Sequence, residues 1–249
     1  MKRKSGRDRD AGGPRTKRSR GGNNAKPIIV VLPGSSSNLT RDMAERLVPA
    51  LLQVGFDIRI RPGSSEGGAR WSGWNPSSNA RAVVEDLGIC PREADAPPWY
   101  VLGCSFGNRV ACSIVSDELT PVPPRLILTG YPMYGPGANN KEARVEHIQG
   151  LPASAKVLAV SGAKDECLTK NVPCGSPTAA ALWERVIGTM PCADNVSFKI
   201  VENGGHGVYE AGKSQKVLER NAAITISMVQ WITDFASHEM GDCATGKNK

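Results

Sequence analysis

WYVLGCSFGNRVACSIVSD, residues 99–117, changes character twice within nineteen positions. Trp99 to Leu102 is an apolar run too short for a helix and of the length of a buried strand. Gly103-Cys104-Ser105-Phe106-Gly107 interrupts it, and Phe106, Val110 and Ile114 then recur at helical spacing. Strand, sharp turn and helix, with a serine between two glycines, are the context of a G-x-S-x-G nucleophile elbow. The glycines have a steric reason, since a new helix that crosses close to its strand leaves no room for side chains beside Ser105. The serine then stands at a helix N-terminus, where free N–H groups can face developing negative charge. The competing interpretation is an ordinary tight turn whose serine caps the helix. That interpretation predicts no partners for Ser105 elsewhere in the chain.

The 249 residues suit one domain with a large core, and 40% hydrophobic content with few aromatics suits an α/β protein. No apolar run approaches the length of a membrane span, and the charged N-terminus is followed by no apolar stretch of a secretory signal. Seven cysteines, at 90, 104, 112, 167, 174, 192 and 243, show no C-x-x-C spacing. They read as reduced thiols of an intracellular protein, and with three histidines in all they predict neither a structural zinc site nor a cofactor. The net charge of +7 is uneven. Residues 1–26 hold ten Lys or Arg against Asp8 and Asp10, so a nearly neutral body carries a basic tail.

That tail has nothing to bury and is expected to be disordered. Its clusters, Lys2-Arg3-Lys4 and Lys17-Arg18-Ser19-Arg20, are spaced like a bipartite import signal, with an import carrier as partner for residues 2–20 and a cytoplasmic or nuclear location. A solubilising or RNA-brushing tail is the alternative. The body shows no zinc finger, aromatic platform or recognition helix for specific nucleic-acid binding.

The folded domain is expected over residues 27–238, with a flexible tail from 239 to 249. Its first strand, Pro27 to Leu32, is wholly apolar and needs cover on both faces. Pro33-Gly34-Ser35-Ser36-Ser37 ends it, and there the backbone N–H of Ser35 is the candidate second oxyanion donor beside that of Phe106. Thr40 caps a helix with Met43, Leu47, Leu51 and Val54 as its buried stripe, kinked at Pro49. Phe56 to Ile60 is the second strand. The glycine-rich loop 61–75 carries Trp71 and Trp74, which either wall a substrate pocket or pack over the sheet edge. A helix from about Ser77 to Leu87 precedes the elbow strand. Pro124 to Gly130 is the fourth strand, followed by a loop whose Met133 and Tyr134 are candidates to shape an acyl pocket. A weak polar helix, Asn139 to Ile148, places His147 on the surface. Lys156 to Val160 and Ser197 to Val201 are the last strands, and helices run from Thr178 to Gly188 and from Asn221 to Phe235.

Two strand ends complete the chemistry. Ser161-Gly162-Ala163-Lys164-Asp165-Glu166 puts an acid three residues past a glycine, Asp165 for preference because its short side chain holds an imidazole rigidly, with Glu166 as the fallback. Glu202-Asn203-Gly204-Gly205-His206-Gly207 sets a histidine among glycines that supply no apolar wall for a core residue. The order Ser105, Asp165, His206 is the nucleophile–acid–histidine order of an α/β-hydrolase. His206 would take the Ser105 proton, Asp165 would orient the ring, and an acyl-enzyme would form and hydrolyse. Cys104 is expected to face the sheet surroundings and not the cleft. Arg109 either makes an ion pair near the site or recognises an acidic group of the substrate.

VVLPGSSSNLTRDM (30–43), GCSFGNRVA (103–111), LILTGYPMYGPG (126–137), SGAKDE (161–166) and NGGHGVY (203–209) together resemble the testis-expressed-protein-30-like branch of the α/β-hydrolases. That branch includes the hydrolase-like domain of a subunit of the nuclear NSL histone-acetyltransferase complex, and it is distantly similar to dienelactone hydrolases. The resemblance spans about Ile28 to Phe235. It implies a compact α/β-hydrolase of about six mostly parallel strands, lacking the first two strands of the full fold. By motif it also implies Ser105 as nucleophile, Asp165 as acid, His206 as base and Arg109 as an arginine common after the elbow. Pro33-Gly34 stands where many relatives have His-Gly, which removes the usual support of the oxyanion turn.

Two functions of different class follow. One is a serine esterase or related acyl hydrolase acting on a small acyl substrate. The other is a non-catalytic binding or scaffold protein on the same fold, in a nuclear protein complex. A formed pocket with Ser105 near His206 favours the first; a blocked cleft with a large apolar patch elsewhere favours the second. The short connections between strands disfavour a capped long-chain lipase.

Overall fold

Six short segments pair side by side into one parallel sheet in the computed structural model, which describes residues 26–35, 42–61, 71, 73–88, 98–135, 144–169 and 178–237. The strands are β1 (Ile28–Leu32), β2 (Asp57–Ile60), β3 (Trp99–Cys104), β4 (Arg125–Thr129), β5 (Val157–Gly162) and β6 (Val196–Val201), in the order β2-β1-β3-β4-β5-β6. Every pairing is parallel; Val30, for example, sits between Arg59 of β2 and Val101 of β3. This is the α/β-hydrolase architecture that the sequence predicts.

The strand period sorts side chains onto two faces. Val30, Leu32, Val101, Leu126, Leu128, Val157 and Ala159 share one apolar cluster with Val83, Val110, Ile114, Leu182 and Trp183. Those partners lie on the helices α2 (Pro76–Leu87), α3 (Phe106–Ser116) and α6 (Ala179–Ile187). Ile29, Val31, Tyr100, Leu102, Ile127, Leu158 and Val160 point the other way, onto Met43, Leu47, Leu51, Met228 and Ile232. These last belong to a π-helical segment, Met43–Leu47, running into α1 (Val48–Gln53), and to α7 (Gln215–Ser237). The short helices α4 (Glu146–Gln149) and α5 (Glu166–Thr169) lie between. Both faces are covered, so the interior strands can be apolar throughout.

Several expectations need correcting. Pro49 is not inside a continuous α-helix: it falls in the first turn of α1, where a missing N–H is harmless, and the wider π turns precede it. Val54 is exposed, because α1 ends at Gln53 before that position can turn inward. The helix expected over 139–148 is, among the described residues, the single turn Glu146–Gln149. His147 on it is half-buried. The last helix begins at Gln215, six residues before the expected start at Asn221. The basic tail 1–25, the Thr40 cap, most of the loop 62–72 and the tail beyond 237 lie outside the described residues. No described helix is long and apolar enough to cross a membrane.

The strand order reverses between β1 and β3, since the chain leaves β1 for one edge and then returns to build toward the other. Such a switch point opens a crevice at the carboxyl ends of the strands. Ser35 follows β1 and Ser105 follows β3, so both candidate residues stand at that crevice.

Candidate active site

Ser105 occupies a backbone conformation that L-residues avoid, φ 50° and ψ −119°, a strain of roughly 1–3 kcal/mol that the surroundings must impose. They do so by close packing. A Cβ on Gly103 would lie 2.7 Å from the Asn108 Cα, and one on Gly107 would collide with the carbonyl oxygen of Leu32 at the end of β1. The turn is also bonded to β4. The buried Asn108 side chain donates to the Thr129 carbonyl at 2.8 Å and accepts from the Thr129 N–H at 3.1 Å, while the Thr129 hydroxyl donates to the Gly103 carbonyl at 2.7 Å. Sequence reading missed Asn108, whose partner is distant in the chain.

His206 arrives from the loop after β6. Its Nε2 lies 2.9 Å from Ser105 Oγ, and its Nδ1 lies 3.0 and 3.1 Å from the two carboxylate oxygens of Asp165. The Asp165 carboxylate, fully buried, also accepts the Cys167 N–H at 2.8 Å, which fixes its plane. Glu166, the fallback acid, is exposed on the cleft. Burial presses the His206 pKa down, but the hydrogen bond and charge of Asp165, with a smaller contribution from Cys167, outweigh it and hold the ring above its ordinary 6.5. Three side chains far apart in sequence thus form one hydrogen-bonded row.

The row opens into a cavity of about 970 Å³. Trp74, Phe106, Pro132, Tyr209 and Ala211 give it an apolar wall, and Ser35 and Phe106 border it beside Ser105. Phe106 is the first residue of α3, so its N–H has no partner within the helix. Trp74 is 72% exposed and stands edge-on to Phe106 at 5.3 Å between ring centres. Trp71 does not line the cavity; it stands edge-on to Phe106 at 5.5 Å between ring centres and lies under the Arg61 guanidinium.

Met133 and Tyr134 are placed differently from the expectation. Both are buried and border a separate cavity of about 230 Å³ against Leu182 and Val186. The tight turn after β4, closed by the Met133 N–H on the Tyr131 carbonyl, and the bond from the Tyr134 N–H to the Cys167 carbonyl seat this segment beside α6. Arg109 lines the main cavity and pairs with Glu146 at 2.8 Å. Its Nε is buried and finds no hydrogen-bond partner among the described residues. Cys104 is buried within the second apolar cluster, and burial pushes its thiol up to about 12, which keeps it protonated and unreactive. Cys167, by contrast, lines the cavity with Sγ 3.9 Å from His206 Nε2. Ligating atoms of Asp165, Cys167 and His206 lie within 4.8 Å of one another, a grouping of metal-ligand types among the described residues.

Comparison with known proteins agrees with this architecture. A family model described as an alpha/beta hydrolase domain matches residues 75–235. No curated protein sequence matches the chain. Among solved structures it is similar to a sugar hydrolase from Lactococcus lactis, at 16% identity and a TM-score of 0.56 over 88% of this chain and 92% of that one. A dienelactone hydrolase from Anabaena variabilis superposes with a TM-score of 0.53 at 14% identity, over 85% of this chain and 87% of that one. An alpha-beta serine hydrolase homologue from Coxiella burnetii gives 0.51 at 15%, over 82% and 84% respectively. Identities this low speak for the fold alone.

Proposed function

The chain belongs to the alpha/beta hydrolases, and from that premise we propose that it is a serine hydrolase of small carboxylic esters or related acyl substrates. The observation that carries this reading is the row Ser105 Oγ, His206 Nε2 and Nδ1, Asp165 Oδ, with contacts of 2.9, 3.0 and 3.1 Å, at the mouth of an open cavity.

In this reading Ser105 Oγ attacks the ester carbonyl while His206 Nε2 takes its proton. Asp165 holds the Nδ1–H and stabilises the imidazolium that forms. The N–H of Phe106, unused by its helix, meets the oxyanion, and the Ser35 N–H is the second donor. One such donor is worth roughly 3 kcal/mol of barrier. His206 then protonates the leaving alcohol, and a water deprotonated by the same nitrogen attacks the acyl-enzyme and frees the acid. Trp74, Phe106 and Tyr209 supply an apolar wall for the acyl or alcohol part.

Hydrolysis of short-chain nitrophenyl esters by the full chain tests the reading. The wild type is expected to turn over acetate and butyrate esters, and Ser105→Ala to lose on the order of 10⁶-fold in kcat. Equal rates for the two proteins would overturn it.

A further inference from the structure

Cys167 has no part in the acyl-transfer steps above, yet it lies where it can interfere with them. It follows Asp165 by two residues, is 5% exposed, and borders the cavity that contains Ser105. Its Sγ is 3.9 Å from His206 Nε2, less than the combined length of about 2.1 and 2.3 Å for zinc bonds to nitrogen and sulfur. One ion can therefore touch both atoms. On the same nitrogen, Ser105 Oγ at 2.9 Å offers a third, weaker ligand, and the open cavity admits water as a fourth. Behind the ring the Asp165 carboxylate accepts at Nδ1, the arrangement that orients metal-ligating histidines and raises their basicity. Cys104, the other cysteine beside Ser105, is sealed in the core and unavailable.

We propose that Cys167 and His206, with Ser105 beside them, form a binding site for a soft divalent cation, Zn²⁺ by preference, that switches the cleft off. Thiolate and imidazole together select zinc or cadmium over magnesium and calcium, which prefer oxygen ligands. Binding replaces the thiol proton with the metal and releases that proton to solvent. The His206 Nε2 lone pair then bonds the ion and is no longer able to accept the Ser105 proton. Binding itself stands apart from the hydrolase reading; only the inhibition rests on it.

Cobalt is the direct probe, because a Co²⁺–thiolate bond absorbs in the near ultraviolet. Full-length protein kept reduced by a non-thiol reductant is expected to develop that band as Co²⁺ is added and to lose it when Zn²⁺ displaces the cobalt. Cys167→Ala and Cys167→Ser, checked for native fold, are expected to lack it. In the ester assay Zn²⁺ inhibits the wild type reversibly, chelator restores the rate, and Mg²⁺ does nothing. The Zn²⁺ needed for half inhibition rises at least roughly tenfold in both Cys167 variants. No cobalt band in the wild type, an undiminished band in the variants, or unchanged Zn²⁺ sensitivity in them would each overturn the site. If the wild type proves to have no esterase activity, the cobalt band alone still decides.

Discussion

The two sides of the cleft hold their functional groups by different means. On one side Ser105 sits between β3, buried along its whole length, and α3, with Asn108 tying the turn to β4. On the other side His206 comes from a segment without helix or strand. Backbone bonds hold that segment, from the Lys164 N–H to the Gly204 carbonyl at 2.9 Å, from the Gly205 N–H to the Tyr209 carbonyl at 3.1 Å, and from the Val208 N–H to the Gly205 carbonyl at 3.0 Å. It also leans on Gly130, where any Cβ would collide with the His206 carbonyl oxygen. Ser105 is placed by the core and His206 by a loop. Damage to what holds Ser105 should therefore appear in folding, and damage to what holds His206 in turnover.

Loss of Ser105 itself apart, the largest effect is expected on the histidine side. His206→Ala should lower kcat by on the order of 10⁶-fold with little change in Tm, read by ester hydrolysis and thermal melting. Asp165→Asn should cost roughly 10⁴-fold and also move the pH profile. The proposed mechanism needs neutral His206, so it predicts that kcat/KM rises as pH passes upward through the pKa of the ring. Since Asp165 raises that pKa, the wild-type limb should lie above the ordinary 6.5, and removing the carboxylate charge should shift it to lower pH. A limb that stays in place would show that Asp165 does not set the ring's basicity.

Gly130→Ala should displace the His206 loop and cost about 10²-fold in kcat, the scale of an ångström's misplacement. Ser105 should keep its strained conformation in that variant, which a crystal structure would check. Asn108→Ala leaves the Thr129 N–H without its buried acceptor and takes one of two donors from the Thr129 carbonyl, and should cost about 1–3 kcal/mol in denaturant unfolding. If Asn108→Ala instead left stability intact and abolished turnover, the contrast between the two sides would fail.

The sheet was legible in the sequence because its interior strands are short apolar runs that stop at turns rich in small residues, a local signal that survives folding. Ser105, Asp165 and His206 could be singled out for the same reason, each lying just past a strand end among small residues, and the structure brings them together. What escaped depends on partners distant in the chain. Asn108 reads as one polar residue on an apolar helix until Thr129, 21 positions on, lies beside it. Cys167 and His206 are 39 apart and fit no metal-binding spacing. Met133 and Tyr134 were placed correctly at a strand end, but the direction of a loop side chain is set by the bonds that close the loop, and these turn both residues toward α6. Pro49 misled because the proline was read against a regular helix, whereas wider turns lie just before it.

The most direct test of the central claim is covalent labelling of the purified full chain with a small fluorophosphonate, with the modified residue located by mass spectrometry. The account predicts one adduct per chain, on Ser105, absent in Ser105→Ala and formed far more slowly in His206→Ala. A folded wild type that takes up no label, or takes it up on a residue other than Ser105, would contradict it.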